Sequence, residues 1–365
     1  MRRTGRPDPP SEAKQPGSGR LISLDAFRGF IMVMLTSQGF GLERLEQASG
    51  LGWLAHQFEH VAWEGMVFWD LIQPAFMFMV GLAMPLAIAA RRKQGAGSKE
   101  IWRHVAYRAV MLVVISQVIM SIQANRPHFQ LINVLSQIAF AYFLCYWIMK
   151  LPFRRQALAA ALLLAGHWAL FALFPGSEGA FSKADNVGAA IDHFLGLEYA
   201  GYYVTINFIS STVTMLFGVW AGYLMIEQHS HGYRLKVLAV AIAACFAAGF
   251  GLTLLNPMIK RLWTASFTLA SAGWVLAMLL GFYWLVEVKG YRKAMFPLVV
   301  VGMNSIFIYV VSIVLTGWLD RAVGVFSGHY EFVGTLAPVA QATSVFLVMW
   351  YLCYWLYQRR IFIKI

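Results

Sequence analysis

The densest collection of chemically capable side chains lies between residues 58 and 74, which read FEHVAWEGMVFWDLIQP. His60 is flanked by Glu59 and Glu64 and followed by Asp70 at the start of an apolar run. An imidazole titrates near neutrality, so a His among carboxylates suits general-base work. A plain interfacial histidine fits the same pattern, and the two readings stay open on spacing alone. His56 and His60 stand four apart, but no third residue completes a metal set, so no metal is expected. Pro74 is expected to disturb the backbone one turn beyond Asp70.

Other polar groups sit where apolar runs begin or pass. Asp25 and Arg28 are three apart in SLDAFRG, near the start of the first run. Ser23 is placed to cap that helix, with Asp25 in its first turn and Arg28 as a neighbour on the same face. This pair is either a cap with an ion pair or a site element. Asn133 and Gln137, then Lys260, Trp263, Thr264 and Ser266, stand at the starts of later runs. Asn304, in Gly302-Met303-Asn304-Ser305, lies deeper; a buried Asn must find partners or line a polar cavity. Ionisable and polar groups at membrane depth are costly, so each is a candidate for function.

The elements that must hold these residues follow from composition. Of 365 residues, 59% are hydrophobic and 13% charged, about half the charged share of a soluble domain. So few charges cannot coat a water-facing surface. Apolar runs of the required ~20 residues begin near Leu24, Met66, Val105, Leu131, Gln156, Val204, Val237, Thr264, Pro297 and Leu336. The expected architecture is therefore all-α, a polytopic transmembrane bundle of about ten spans with both termini cytoplasmic. Residues 1–20 are polar, basic and rich in Pro and Gly, and read as a disordered tail. They lack the apolar core of a signal peptide, so the first run is expected to be a permanent span. Residues 21–358 form the membrane domain and 359–365 a short basic tail.

The net charge of +12 marks topology, not nucleic acid. Most of the 29 Lys and Arg residues fall in the N-terminal tail, the alternate loops around Arg91-Arg92-Lys93, Arg154, Arg234 and Arg292, and the C-terminal tail. The positive-inside rule puts these on the cytoplasmic side. Arg44, Arg126, Lys183, Lys260, Arg261 and Arg321 lie opposite, where Glu43, Glu46, Glu59, Glu64, Glu178, Asp185, Asp192 and Glu198 also gather. In this topology the second, fourth, sixth and eighth helices start at the outer face. Their N-termini carry Asp70 and Gln73, Asn133 and Gln137, Asn207, and the Trp263–Ser266 group. Four such ends at one level are suited to stabilising negative charge. Cys145, Cys245 and Cys353 sit in apolar runs and read as small buried hydrophobes.

The stretches RLISLDAFRGF (20–30), FEHVAWEGMVFWDLIQPAFMFMVGLAMPL (58–86), NVLSQIAFAYF (133–143), KRLWTASFTLASAGW (260–274) and GMNSIFIYV (302–310), in that order, resemble the heparan-alpha-glucosaminide N-acetyltransferase-like membrane acyltransferases. The resemblance implies acyl transfer centred on the His of H-x-x-W-x-G, here His60. It also implies a cytoplasmic acyl-CoA donor, acetyl-CoA above all, with no permanently bound cofactor. The acceptor would be the hydroxyl or amine of a sugar or glycolipid across the membrane, the bilayer being a bacterial inner membrane. A homodimer is left open. Asp70 is the favoured partner for His60, ahead of Glu59 and Glu64. Asn133, Gln137, Thr264 or Ser266 would donate to the oxyanion. Asp25, Arg28, Trp63, Lys260, Trp263 and Asn304 complete the substrate- or donor-binding candidates. The family's L-Q-R stretch reads Leu135-Ser136-Gln137 here, so an arginine is replaced. The lumenal portion of the animal enzymes has no counterpart, so heparan sulfate itself is not the expected acceptor. A transporter or flippase without acyl chemistry is the rival expectation, and a degenerate fold used for binding a third.

Overall fold

Residues 21–45, 50–197 and 203–363 are described in the computed structural model of the chain. The expected N-terminal tail, Glu46, Glu198 and Lys364 lie outside the described residues. Among the described residues the chain is helical, with no strands. The helices are α1 (Ile22–Thr36), α2 (Gly52–Gln57), α3 (Ile72–Lys93), α4 (Ser98–Ala124), α5 (Val134–Ile148), α6 (Phe153–Leu173) and α7 (Val187–Phe194). The second half adds α8 (Phe208–Ile226), α9 (His231–Gly251), α10 (Ala265–Tyr283), α11 (Phe296–Met303), α12 (Ser305–Ser327) and α13 (Ala337–Gln358).

Seven stretches among these residues are long and apolar enough to cross a membrane, against the expected ten. The shortfall has local causes. The runs at Leu24 and Leu131 yield α1 and α5, of 15 residues each, short of the ~20 that hydrocarbon thickness asks for. The run at Pro297 breaks at Asn304 into α11 and α12. The last qualifying stretch, Ser305–Gln358, holds both α12 and α13, parted by a turn in which His329 and Tyr330 take positive φ.

Two expectations about helix starts are corrected. Ser23 does not cap α1; the N-cap is Leu21, without a side-chain bond. The Ser23 N–H instead donates to Glu287 Oε1 at 3.0 Å, so a carboxylate from the π-helical turn Trp284–Val288 closes α1 from 264 residues away. Pro74 does not break the second span. It falls in the first turn of α3, where no intrahelical N–H is needed, and the irregularity lies upstream as a 3-10 turn over Phe68–Leu71.

α3 and α8 form the centre, each with 67% of its apolar window buried. A Cβ built on Gly81 would lie 2.0 Å from the Met215 carbonyl oxygen, and one on Gly218 2.0 Å from that of Phe78. Backbones approach this closely only where side chains are absent, the packing that replaces hydrophobic drive between helices in lipid. α4, α6 and α9 sit outside, only 28%, 22% and 17% buried. Their exposed faces carry Val110, Val114, Val118, Leu158, Leu162, Val240 and Phe250, a surface fit for lipid and not for water. The protein is an integral membrane protein in contact with the bilayer.

Candidate functional site

The segment 58–67 between α2 and the 3-10 turn has no regular structure, so tertiary bonds must hold it. Phe68 N–H donates to Gln57 Oε1 at 3.3 Å. Gly65 N–H donates to the Met258 carbonyl at 2.8 Å, and the Trp63 indole to the Phe181 carbonyl at 2.8 Å. Trp63 thus clamps the His60 segment to the long α6–α7 loop.

His60 Nδ1 lies 2.7 Å from Asp70 Oδ1. The Asp70 carboxylate is 1% exposed while the imidazole is 45% exposed, so one group is fixed inside and the other looks out. Asp70 Oδ2 accepts from Val67 N–H at 3.3 Å, which turns the carboxylate back over the start of its own helical turn. Glu59 and Glu64 do not meet the imidazole; Asp70, ten residues on, does.

Lys260 joins this pair from the α9–α10 loop. Its Nζ donates to Asp70 Oδ1 at 3.2 Å with its side chain 6% exposed, and stands 3.3 Å from His60 Nδ1. These contacts decide the tautomer. A carboxylate oxygen only accepts, so the 2.7 Å contact places the proton on Nδ1. The ammonium then has no acceptor on the imidazole and spends its bond on Asp70. The second ring nitrogen, Nε2, belongs to a side chain that is 45% exposed. A buried carboxylate behind Nδ1 fixes the ring's orientation, an arrangement chemically capable of general-base work.

The loop delivering Lys260 is tightly built. Trp263 is fully buried with φ of 55°, strained for a bulky residue, and its indole donates to Thr214 Oγ1 at 3.1 Å. Thr264 Oγ1 accepts from Ile259 N–H at 3.0 Å and lies 3.2 Å from Ser266 Oγ, which donates to the Pro257 carbonyl at 3.0 Å. Thr264 and Ser266 therefore knit the turn that holds Lys260.

A separate cavity of about 240 Å³, lined by none of His60, Asp70 and Lys260, has Gln73, Asn133, Gln137 and Asn207 in its wall. These come from the starts of α3, α5 and α8, brought to one level by α3–α8 packing. Asn133 caps α5 through Oδ1, which accepts Ser136 N–H at 3.0 Å. Gln73 Nε2 donates to Gln137 Oε1 at 2.7 Å.

Along α3 runs a larger cavity of about 670 Å³, lined by the basic Arg28, Arg91, His104 and Arg108 and by Phe76, Leu135 and Tyr309 among others. Tyr309 and Leu135 line both cavities, and Tyr309 stacks on Phe76 with centroids 6.3 Å apart. Arg28 also pairs with Asp25 at 3.7 Å. The geometry leaves Asp25, Arg28 and Asn304 away from the imidazole. Asn304 ties down the C-terminal segment, donating to the Ile361 carbonyl at 3.2 Å and accepting from Ile363 N–H at 3.0 Å. Sequence inspection missed the role of Gln73 and the ion pairing of Lys260, although a lysine on the sparsely basic side was the available signal.

No protein-family model matches the chain. Among curated proteins it is similar to human heparan-alpha-glucosaminide N-acetyltransferase, 25% identical over 361 residues that cover 80% of this chain and 52% of the human protein. The mouse protein of the same name is 23% identical, with 82% of this chain and 54% of the mouse protein covered. The chain thus spans about half the length of the curated relatives it matches and is distantly related to them.

Proposed function

We propose that the protein is a membrane acyltransferase that moves an acyl group, acetyl first, from acyl-CoA on the cytoplasmic side to a hydroxyl or amine of a sugar or glycolipid on the outer side. The observation that carries this reading is the half-exposed His60 imidazole held at 2.7 Å by a buried carboxylate. The distant acetyltransferase relatives support the reaction class. We take the chain to cross a bacterial inner membrane about ten times, with α1 and α5 as short crossings and both ends cytoplasmic.

In this mechanism His60 Nε2 removes the proton from the acceptor nucleophile, which attacks the thioester carbonyl carbon. Asp70 stabilises the imidazolium that forms. The tetrahedral species expels the CoA thiolate, which recovers the proton from Nε2. Transfer through a transient acyl group on Nε2 uses the same geometry. The donor's phosphates would lie at Arg28, Arg91 and Arg108, since guanidinium pairs well with phosphate, and its pantetheine arm would run between Phe76 and Leu135 towards Tyr309.

The test is transfer of label from radiolabelled acetyl-CoA by the purified chain in nanodiscs, with total lipid and glycan extracts as acceptors. Transfer by the wild type and not by a folded His60→Ala variant supports the reading; equal transfer by both removes His60 from the chemistry. The shared lining of the two cavities would also serve passage of a solute. Solute flux without acetyl-CoA consumption would select that transporter reading.

A further inference from the structure

Four side chains are the sequence's candidates for an oxyanion donor, and three have spent their donors. The Thr264 and Ser266 hydroxyls are committed within the turn 257–266. Asn133 Nδ2 donates to the Gln130 carbonyl at 3.0 Å and to Ser136 Oγ at 3.2 Å. Gln137 differs. Its Oε1 accepts from Gln73, while its Nε2 is buried with no hydrogen-bond partner in a residue 5% exposed that lines the 240 Å³ cavity. With Gln73 as the donor of this pair, the group left over at the buried position is the Gln137 NH2.

A buried amide donor without an acceptor is costly, and native interiors keep few of them. Its presence implies that an oxygen-bearing group enters the cavity. The surroundings specify that group further. Gln137 lies one turn inside the N-terminus of α5, whose positive end faces the cavity and favours an oxygen that gains negative charge. Gln73, at the start of α3, follows Asp70 of the preceding 3-10 turn by three residues, so their backbones are about 5 Å apart along the chain axis. Tyr309 and Leu135 line both this cavity and the basic one, from which a thioester would arrive.

We propose that the Gln137 amide, held in place by Gln73, binds the carbonyl oxygen of the acyl thioester and stabilises the oxyanion formed from it. The proposal rests on the acyltransferase reading. When the acceptor oxygen or nitrogen bonds to the carbonyl carbon, the π pair moves onto oxygen and is met by Gln137 Nε2–H. As that pair returns, the carbon–sulfur bond breaks and the electrons leave with the CoA thiolate, which takes the proton held on His60 Nε2.

The experiment compares wild type, Gln137→Leu and Gln137→Glu as the full chain in nanodiscs, with acetyl-CoA as donor. A second arm measures binding of acetyl-CoA against S-ethyl-CoA, a thioether without the carbonyl oxygen. Both variants are expected to lose about 10²-fold in kcat, beyond a rise in the KM for acetyl-CoA of about tenfold at most from the lost ground-state bond. The wild-type preference for acetyl-CoA over the thioether, about tenfold for one hydrogen bond in a dry site, should vanish in Gln137→Leu. Wild-type kcat in either folded variant, or a change confined to KM, overturns the oxyanion role. Absence of both turnover and acetyl-CoA binding in the wild type overturns the acyltransferase reading itself, which separates the two failures.

Discussion

Replacing Lys260 by methionine probes the cluster at its least exposed point. Lys260 Nζ lies 3.2 Å from Asp70 Oδ1, with the two side chains 6% and 1% exposed. Removing the ammonium leaves a carboxylate inside the protein, supported by the imidazole at 2.7 Å and one backbone N–H at 3.3 Å. Breaking a buried pair from one side costs about 3–5 kcal/mol. A loss of about 3 kcal/mol or more is therefore expected for Lys260→Met. Asp70→Asn should cost a similar amount by stranding the ammonium. The double variant Asp70→Asn/Lys260→Met removes both charges at once, and it should recover at least about 2 kcal/mol relative to the sum of the two singles. Activity should not follow stability. An amide behind a catalytic imidazole lowers turnover by about 10⁴-fold, because the charge that supports the imidazolium and fixes its tautomer is gone. The assay is the apparent unfolding midpoint in detergent for the four proteins, alongside acetyl-transfer rates. Additive destabilisation in the double variant, or a Lys260→Met protein of wild-type stability and rate, would refute the idea that this lysine neutralises Asp70.

Three further outcomes are expected. Gly81→Val forces a side chain against the Met215 carbonyl, 2.0 Å from the new Cβ, and should cost about 3 kcal/mol or more; Gly166→Val, which meets nothing within 4 Å, is the control, both read as monodisperse yield on size exclusion. Glu287→Ala removes the acceptor that closes α1 and should lower the unfolding midpoint by the equivalent of about 1–2 kcal/mol, while the KM for acetyl-CoA stays unchanged. Asp192, fully buried, accepts from Thr205 N–H at 3.0 Å, and burial pushes its carboxyl above the usual carboxylate range. A raised pKa in the folded state means that folding takes up a proton, so the packing of α7 on the start of α8 is firmest below the ordinary Asp pKa. That stability is lost as pH rises through the raised value. Asp192→Asn keeps an acceptor and drops the charge, so hydrogen exchange at Thr205 should lose the fall in protection seen as pH rises above the ordinary Asp pKa; an unchanged dependence would place its origin elsewhere.

The legible parts of the site were the local ones. His60 and Asp70 are ten residues apart on one segment, and the cost of a carboxylate at membrane depth made their pairing readable from type and position. The gathering of Gln73, Asn133, Gln137 and Asn207 followed from which helices start at the same face. Spent hydroxyls were not readable: Thr264 and Ser266 look identical in sequence whether they bond a turn or face a substrate, and only their partners at Ile259 and Pro257 decide it. Ser23 carries the residue type of a cap, yet the cap comes from Glu287, since a local propensity yields to any better-placed distant acceptor.

Hydropathy is a property of neighbouring residues, so the sequence alone determined that this is a helical membrane protein, where its apolar runs start and which polar groups interrupt them. It also placed His60 beside a carboxylate it could use. Which face each helix turns inward is not a local property. It depends on backbones meeting at Gly81 and Gly218, where a missing side chain on one helix admits the carbonyl of another. Only that packing brought Lys260 across 190 residues to Asp70 and Gln137 across 64 to Gln73. In the low-dielectric interior such pairs form because a buried polar group left alone costs more than the ordering that brings its partner.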